Sequence, residues 1–211
     1  INTKLSPMAS PHFENGKNTD DEVLLARLIE KAVRISNALD LESLCIVAGS
    51  KVWTIRADVH FLDYDGGLID ASCLGVVTAL QHFRKPDISV VGEEVVVYSV
   101  DERQPTPLSI LHVPIWVSFL FFNPSGVAEN IKGDLNEEIS IIDATAQEEQ
   151  LRDGSLLITV NKNREIIQLS KTGGLPIDAM LIMDLLKKAY VIADKMTDNI
   201  KNLLKAHEDE R

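Results

Sequence analysis

Apolar positions change period several times along the chain. In DDEVLLARLIEKAVRISNAL they recur at Leu25, Leu28, Ala32 and Ile35, the spacing of one helical face, and Asp20 or Asp21 is placed to cap its start. LCIVAG and KVWTIRADVHFLDY read as strands about a Gly49-Ser50 turn; in the second, Val52, Ile55, Ala57 and Val59 alternate with polar groups. IDASCLGVVTALQHF is apolar nearly all round, which predicts a buried helix. EEVVVYSV, LHVPIWVSFLFF and EISIIDAT predict strands, QEEQLRDG a helical turn, and SLLITVNKNREIIQLSKTGG a hairpin turning at Asn161 to Asn163. Residues 1–7 read as the tail of a strand, SPHFENGKNTDD as a loop, and about 123–136 as a polar loop rich in Asn and Gly. After Pro176 one long helix follows. In it Ala179, Ile182, Leu186, Ala189, Ala193, Met196, Ile200 and Leu203 form a heptad seam, expected to pack on the domain's own sheet, with the turns past Asp198 open to a partner helix. Paired strands with helices between them predict an α/β or α+β fold with mixed sheets.

Composition narrows the class. A length of 211 residues suits one domain, and 45% hydrophobic residues supply ample core. The longest apolar run, LHVPIWVSFLFF, is strand-length and interrupted by Pro114, so no membrane span is expected. The chain opens on INTKLSPMAS, without initiator Met or leader, and is expected to be a fragment. A net charge of −11 argues against bulk wrapping of nucleic acid but leaves room for a local basic stripe. Cys45 and Cys73 are expected to be two buried, reduced thiols. The scattered histidines predict no metal site, and no cofactor is expected.

Three groups of residues could carry chemistry. DYDGGLIDASC, residues 63–73, has glycines before a helix start and could cradle a phosphate. Asp63, Asp65 and Asp70 crowd that turn, however, and no Lys or Arg lies between Arg56 and Arg84. A structural turn with Asp70 as helix cap is the expectation. A second acidic group is Asp143, Glu148, Glu149 and Asp153, where Glu149 and Asp153 share a face if the stretch is helical. Such a pair suits Mg²⁺ or general acid work, or equally a solvated turn with Arg152 pairing locally. Thirdly, Arg27, Lys31 and Arg34 stand at i, i+4 and i+7, within an arc of roughly 60° at about 100° per residue. The column suits a row of phosphates, or an ordinary solvated face with Glu22 and Glu30 nearby. No nucleophile triad, Walker loop or dinucleotide fingerprint is present.

The order RLIEKAVR, DLESLCIVAGSKVWTIRADVHFLDYDGG, HFRKPDISV, PLSILHVPIWVSFLFF and IIDATAQEEQLRDG resembles the ribonuclease PH superfamily, and within it the ring subunits of the eukaryotic exosome. The likeness is collinear from Ile1 to about Lys205. It implies a ribosomal protein S5 domain 2-like α/β module with a long C-terminal helix over residues 1–205, lacking its first strands. The C-terminal subdomain would occupy roughly 110–205 and a charged tail 206–211. Active relatives cut RNA from its 3′ end with inorganic phosphate as attacking group. They carry DGGTR where this chain has Asp65, Gly66, Gly67, Leu68 and Ile69, and the arginine that holds the phosphate is replaced by Ile69. They also carry two aspartates six apart; Glu149 stands at the first, and Asp153 follows after only four. The resemblance therefore implies a degenerate site and no catalytic residue. It further implies that Arg27, Lys31 and Arg34 line an RNA channel, with Lys31 in place of an arginine of some relatives. The implied partners are other ribonuclease PH-like ring subunits, S1/KH cap subunits, an associated hydrolytic exoribonuclease and single-stranded RNA in the channel, in nucleus, nucleolus and cytoplasm. One rival reading is an active phosphorolytic exoribonuclease using Asp143, Glu149 and Asp153 with cations from a neighbour. Another is a scaffold that never touches RNA.

Overall fold

A computed structural model of the chain describes residues 1–13, 19–92, 94–122 and 139–210. Its centre is an antiparallel sheet in the order β10 (Ile139–Ile142), β9 (Ile115–Phe122), β11 (Gly154–Val160), β12 (Ile166–Gly173). β9 and β11 pair from Phe121↔Gly154 to Ile115↔Val160. β9 is apolar at nearly every position because both faces of the sheet are covered. On one face lies α4 (Ala179–Asp209), which meets Phe119, Leu156 and Ile158 through Leu185, Ala189, Ala193 and Ile200. On the other face Trp116 and Leu157 meet Ile29, Ala32 and Val33, together with Cys73, Val76 and Val77 of α2 (Leu68–His82). The mixed α/β class expected from the sequence is what the chain adopts.

Short ladders surround this sandwich. β1 (Asn2–Lys4) runs parallel to β4 (Asp58–His60), and β2 (Cys45–Val47) pairs β3 (Lys51–Val52). β5 (Arg84–Lys85) pairs β8 (Thr106–Pro107), and β6 (Ile88–Val91) pairs β7 (Glu94–Val97). The expected strand over residues 51–64 is therefore divided: Trp53 to Ala57 alternate in burial but lie outside any ladder. β6 is an element that the sequence reading left out, because its run is short and follows Pro86. The polar loop expected at about 123–136 lies outside the described residues, as do residues 14–18 of the loop after β1.

The first helix differs from expectation at both ends. Thr19, not Asp20 or Asp21, caps α1 (Asp20–Glu30): its hydroxyl accepts from the Glu22 N–H, while the Glu22 carboxylate accepts from the Thr19 N–H at 3.1 Å and the Leu5 N–H at 2.6 Å. Beyond Glu30 the helix widens into a π-helical turn, Lys31–Ile35, with Ser36 N–H donating to the Lys31 carbonyl and Ala38 N–H to the Val33 carbonyl. The wider turn rotates less per residue, so Ile35, expected on the apolar face, stands 67% exposed.

In α4 the buried seam runs Leu186, Ala189, Ala193, Thr197, Ile200. Thr197 replaces Met196 of the expected heptad, and Ala179 and Leu203 are exposed. The helix packs on its own sheet, and its last turns make contacts in cis: the His207 ring meets that of His82 of α2 at a tilt of 49° with centroids 5.1 Å apart, and Glu208 pairs with Arg84. It runs on through Asp209, into the expected charged tail.

Phe119 is fully buried between the layers. Phe119→Ala is expected to lower unfolding stability by about 3–5 kcal/mol in urea titrations, because the rigid sandwich cannot close over the cavity.

Candidate functional site

The acidic loop docks against the turn between β10 and α3 (Ala146–Leu151). Gly66 makes this approach possible: a Cβ there would lie 2.2 Å from the Ala144 carbonyl oxygen, and its φ of +93° already favours glycine. Gly67, at φ +64°, is the N-cap of α2. Across the contact the Glu149 carboxylate accepts from the Gly67 N–H at 3.0 Å through Oε1 and from the Tyr64 hydroxyl at 2.9 Å through Oε2. The Asp65 carboxylate accepts from the Ala146 N–H at 3.3 Å. Burial, and then the bond to Glu149, push the Tyr64 phenol up to about 12. The Phe13 ring lies 5.5 Å from that of Tyr64 and closes the other side.

Asp70 does not cap the helix, as the sequence reading expected. It reaches across to β9, where its carboxylate accepts from the Ser118 N–H at 2.9 Å and the Ser118 hydroxyl at 2.7 Å. Burial is the main reason its carboxyl titrates above the usual range, partly offset by these bonds. Beside it opens a cavity of about 290 Å³, whose lining includes Gly66, Gly67, Asp70, Asp143, Ile142 and Met196. The charged side chains in its lining are Asp70 and Asp143, with no lysine or arginine among the lining residues. Ile69 packs instead against the core formed by Ile29, Cys73 and Trp116.

The second acidic group divides into separate roles. Glu148 forms a capping box with Thr145, which holds its carboxyl below the usual range through the Thr145 N–H and hydroxyl. Glu149 serves the junction described above. Asp153 lies beyond the end of α3, so the expected shared helical face with Glu149 does not form. Asp143 sits at φ +58° on the cavity rim. Arg152, at the exposed C-cap of α3, is near enough to act electrostatically on Tyr64.

Of the basic column, Arg27 and Arg34 are brought together through Glu30. Arg27, Lys31 and Arg34 are all exposed, and Glu30 stands between the arginines. Its carboxylate takes Arg34 at 2.8 Å and Arg27 at 3.2 Å, and Arg34 contributes most to holding it below the usual range. Three cations and one carboxylate leave this face at +2. Cys73 is buried as expected, whereas Cys45, expected to be buried, is exposed on β2. Among the described residues no group of three or more His, Cys, Asp or Glu is arranged to hold a metal ion.

Tyr64 and Ser118 complete the junction, and the sequence reading named neither. Tyr64→Phe and Glu149→Ala are expected to lower stability by about 0.5–1.5 and 1–3 kcal/mol respectively. Because they share a bond, a double-mutant cycle should show coupling of about 0.5 kcal/mol or more. Asp70 supplies a second test. Its folded pKa is raised, so its contribution is fully present below the unfolded pKa and is lost as pH rises through the folded value. Glu30, Asp58, Glu148 and Asp184, all lowered, act in the opposite sense. Urea unfolding across acid pH should therefore show Asp70→Asn losing stability more steeply than wild type as pH falls.

Comparison with known proteins agrees with this architecture. Residues 1–86 match the model of the 3′ exoribonuclease family, domain 1, and residues 112–192 that of its domain 2. The exosome complex component RRP45 of Saccharomyces cerevisiae is 60% identical over the whole chain, which spans 70% of that protein. The human protein of the same name is 43% identical over the whole chain, which spans 45% of its length. Among solved structures, an Archaeoglobus fulgidus exosome with RNA bound to the active site superposes with a TM-score of 0.71 at 31% identity, covering 94% of this chain and 68% of that one. An archaeal exosome core superposes with a TM-score of 0.66 at 28% identity, over 95% of this chain and 67% of the other. The Glu149 and Asp70 bonds thus join the two family domains to each other, and the chain belongs to the RNase PH-type 3′ exoribonuclease family.

Proposed function

We propose that this chain is a non-catalytic, RNA-contacting subunit of a eukaryotic exosome core ring. The kinship with exosome components supports the assembly. The observation that carries the loss of catalysis is the engagement of Glu149 with the Gly67 N–H and the Tyr64 hydroxyl. A carboxylate already accepts at the helix start where an attacking phosphate would be gripped, and the mostly apolar cavity beside it has Asp70 and Asp143 as its charged lining, with no lysine or arginine. Phosphorolysis requires a positive clamp on a dianion and on the phosphoryl transition state, and an isoleucine at position 69 supplies neither.

In this reading Arg27, Lys31 and Arg34 contact the phosphates of single-stranded RNA passing through the ring. Their exposure, and the carboxylate of Glu30 shared by the two arginines, support it. The neighbours would be other ribonuclease PH-like subunits around the ring and S1/KH proteins capping it, with a separate hydrolytic exoribonuclease receiving the RNA. The assembly would work in nucleus, nucleolus and cytoplasm.

Two measurements test the proposal. The full-length chain, assembled with ring partners whose own sites are disabled, is expected to release no nucleoside diphosphate from single-stranded RNA and phosphate. Release that disappears with Glu149→Ala or Asp153→Ala would restore the catalytic reading. Replacing Arg27, Lys31 and Arg34 by Glu is expected to lower RNA crosslinking to this chain and to reduce the salt slope of binding by about 2, as for three lost contacts to a single strand. Glu30→Gln, which releases both arginines, should raise crosslinking. An unchanged yield in all these variants would leave a scaffold that never touches RNA.

A further inference from the structure

Residues 84–92 and 94–107 belong to an arm that leaves the domain and returns beside itself. β5 and β8 close its base, and the β6–β7 hairpin is its body, paired from Ile88↔Val97 to Val91↔Glu94. Gly92 marks the tip, where an added Cβ would meet nothing within 4 Å. The hairpin carries valines on both faces. Val91 is 69% exposed, Val97 54% and Val100 72%, with Val90 and Val96 also exposed. Among the described residues, none from 86 to 107 joins the three apolar clusters of the domain. A two-stranded hairpin alone is marginal in water. This one is nevertheless braced: the Tyr98 and Ser89 hydroxyls bond at 2.9 Å, Arg103 pairs with Asp87 at 3.0 Å, and its guanidinium lies 3.9 Å over the Tyr98 ring. A rigid ribbon that exposes this much apolar side chain is pre-organised for a partner.

Charge identifies the kind of partner. The arm's cations are engaged: Arg84 with the end of α2 and Glu208, Lys85 with the Ser43 carbonyl, Arg103 with Asp87 and Tyr98. Glu94 and Asp101 stand exposed at the hairpin and in the turn beyond it. RNA is disfavoured by that sign and by an aromatic face already covered by Arg103. A second copy is disfavoured because it would bring the same acids and a further net −11. We propose that the arm docks into a non-identical protein chain, which receives the valines in an apolar groove rimmed by Lys or Arg. The proposal rests on the reading of the chain as one subunit of a larger assembly, and names the surface by which a neighbour holds it.

The test uses the full-length chain in an exosome core reconstituted from separately purified subunits. A photo-crosslinking amino acid at Val91 is expected to capture one polypeptide other than this chain. The Val91→Ser/Val97→Ser/Val100→Ser variant should enter the assembly at least tenfold more weakly, with its thermal unfolding midpoint unchanged because the arm lies outside the core. Glu94→Lys/Asp101→Lys should also weaken entry and flatten its salt dependence. Capture of RNA, of a second copy or of another segment of the full-length chain itself overturns the proposal. So does entry of the valine variant at the wild-type level, or a lowered midpoint that accounts for its loss. A wild-type chain that never enters the assembly overturns the subunit reading, and the docking arm falls with it.

Discussion

The two-pronged grip of Glu149 on the Gly67 N–H and the Tyr64 hydroxyl is the contact on which the rest of the junction depends. The two segments that meet there carry, among others, the carboxylates Asp65, Asp70, Asp143, Glu148 and Glu149. Bare acids this close would repel, and desolvation would add to the penalty. Four of them accept from backbone N–H groups or hydroxyls in fixed positions. The start of α2 adds its positive dipole end to the stabilisation of Glu149. Gly66 makes the geometry possible, since any side chain there would collide with the backbone of the opposing turn.

The same arrangement bears on the proposed loss of catalysis. An anion that took the Gly67 N–H would have to displace Glu149 and leave the Tyr64 hydroxyl without its acceptor, and in the cavity it would stand beside Asp70 and Asp143. Each of these changes opposes binding, and none is offset by a cation in the cavity lining. Arg152 is the basic side chain whose charge reaches Tyr64, but it lies at the exposed end of α3 outside that lining. Ile69 reinforces the arrangement from behind, since its side chain belongs to the apolar core under α2. A clasp made of carboxylates and a receptor for phosphate place opposite demands on the same few ångströms.

Periodicity made the sandwich legible. The apolar run of β9, the buried face of α2 and the Ala189–Ala193 stretch of α4 follow from hydrophobic spacing, because burial on both sides of a sheet leaves a plain trace in sequence. Local bonding choices were harder to read. Two Thr-x-x-Glu stretches, Thr19 to Glu22 and Thr145 to Glu148, are capping boxes whose signal is present in the sequence but shared with acidic neighbours that could cap as well. The π-helical turn at Lys31 leaves no comparable trace, since a composition that suits an α-helix also suits one widened turn. The ligation of Asp70 by Ser118, 48 residues away, depends on tertiary contact alone. Glu149 stands out in sequence only as one acid of a cluster, and spacing does not tell that its donors are a backbone amide and a phenol.

The two family domains are unequal in how they hold together. The second contains the covered sheet, with long ladders and a helix laid along it. Residues 1–86, matched to the first, carry ladders of two and three residues together with α1 and α2. Residues 53–57 show the difference: they alternate in burial as a strand does, but their ends are tied by single bonds, Trp53 N–H to the Leu44 carbonyl and the Ala57 carbonyl to Asn2 N–H, each at 2.8 Å. Next to them a cavity of about 820 Å³ separates this segment from α2. Fewer shared bonds mean a lower local free energy of opening, and within these residues bonds to the second domain act as fastenings that offset it. Asp70 to Ser118 and Glu149 to Gly67 are such fastenings, both made at the first turn of α2. Restoring a phosphate grip at that turn would require giving up bonds that keep the first domain seated, which ties the fate of the pocket to the stability of the fold.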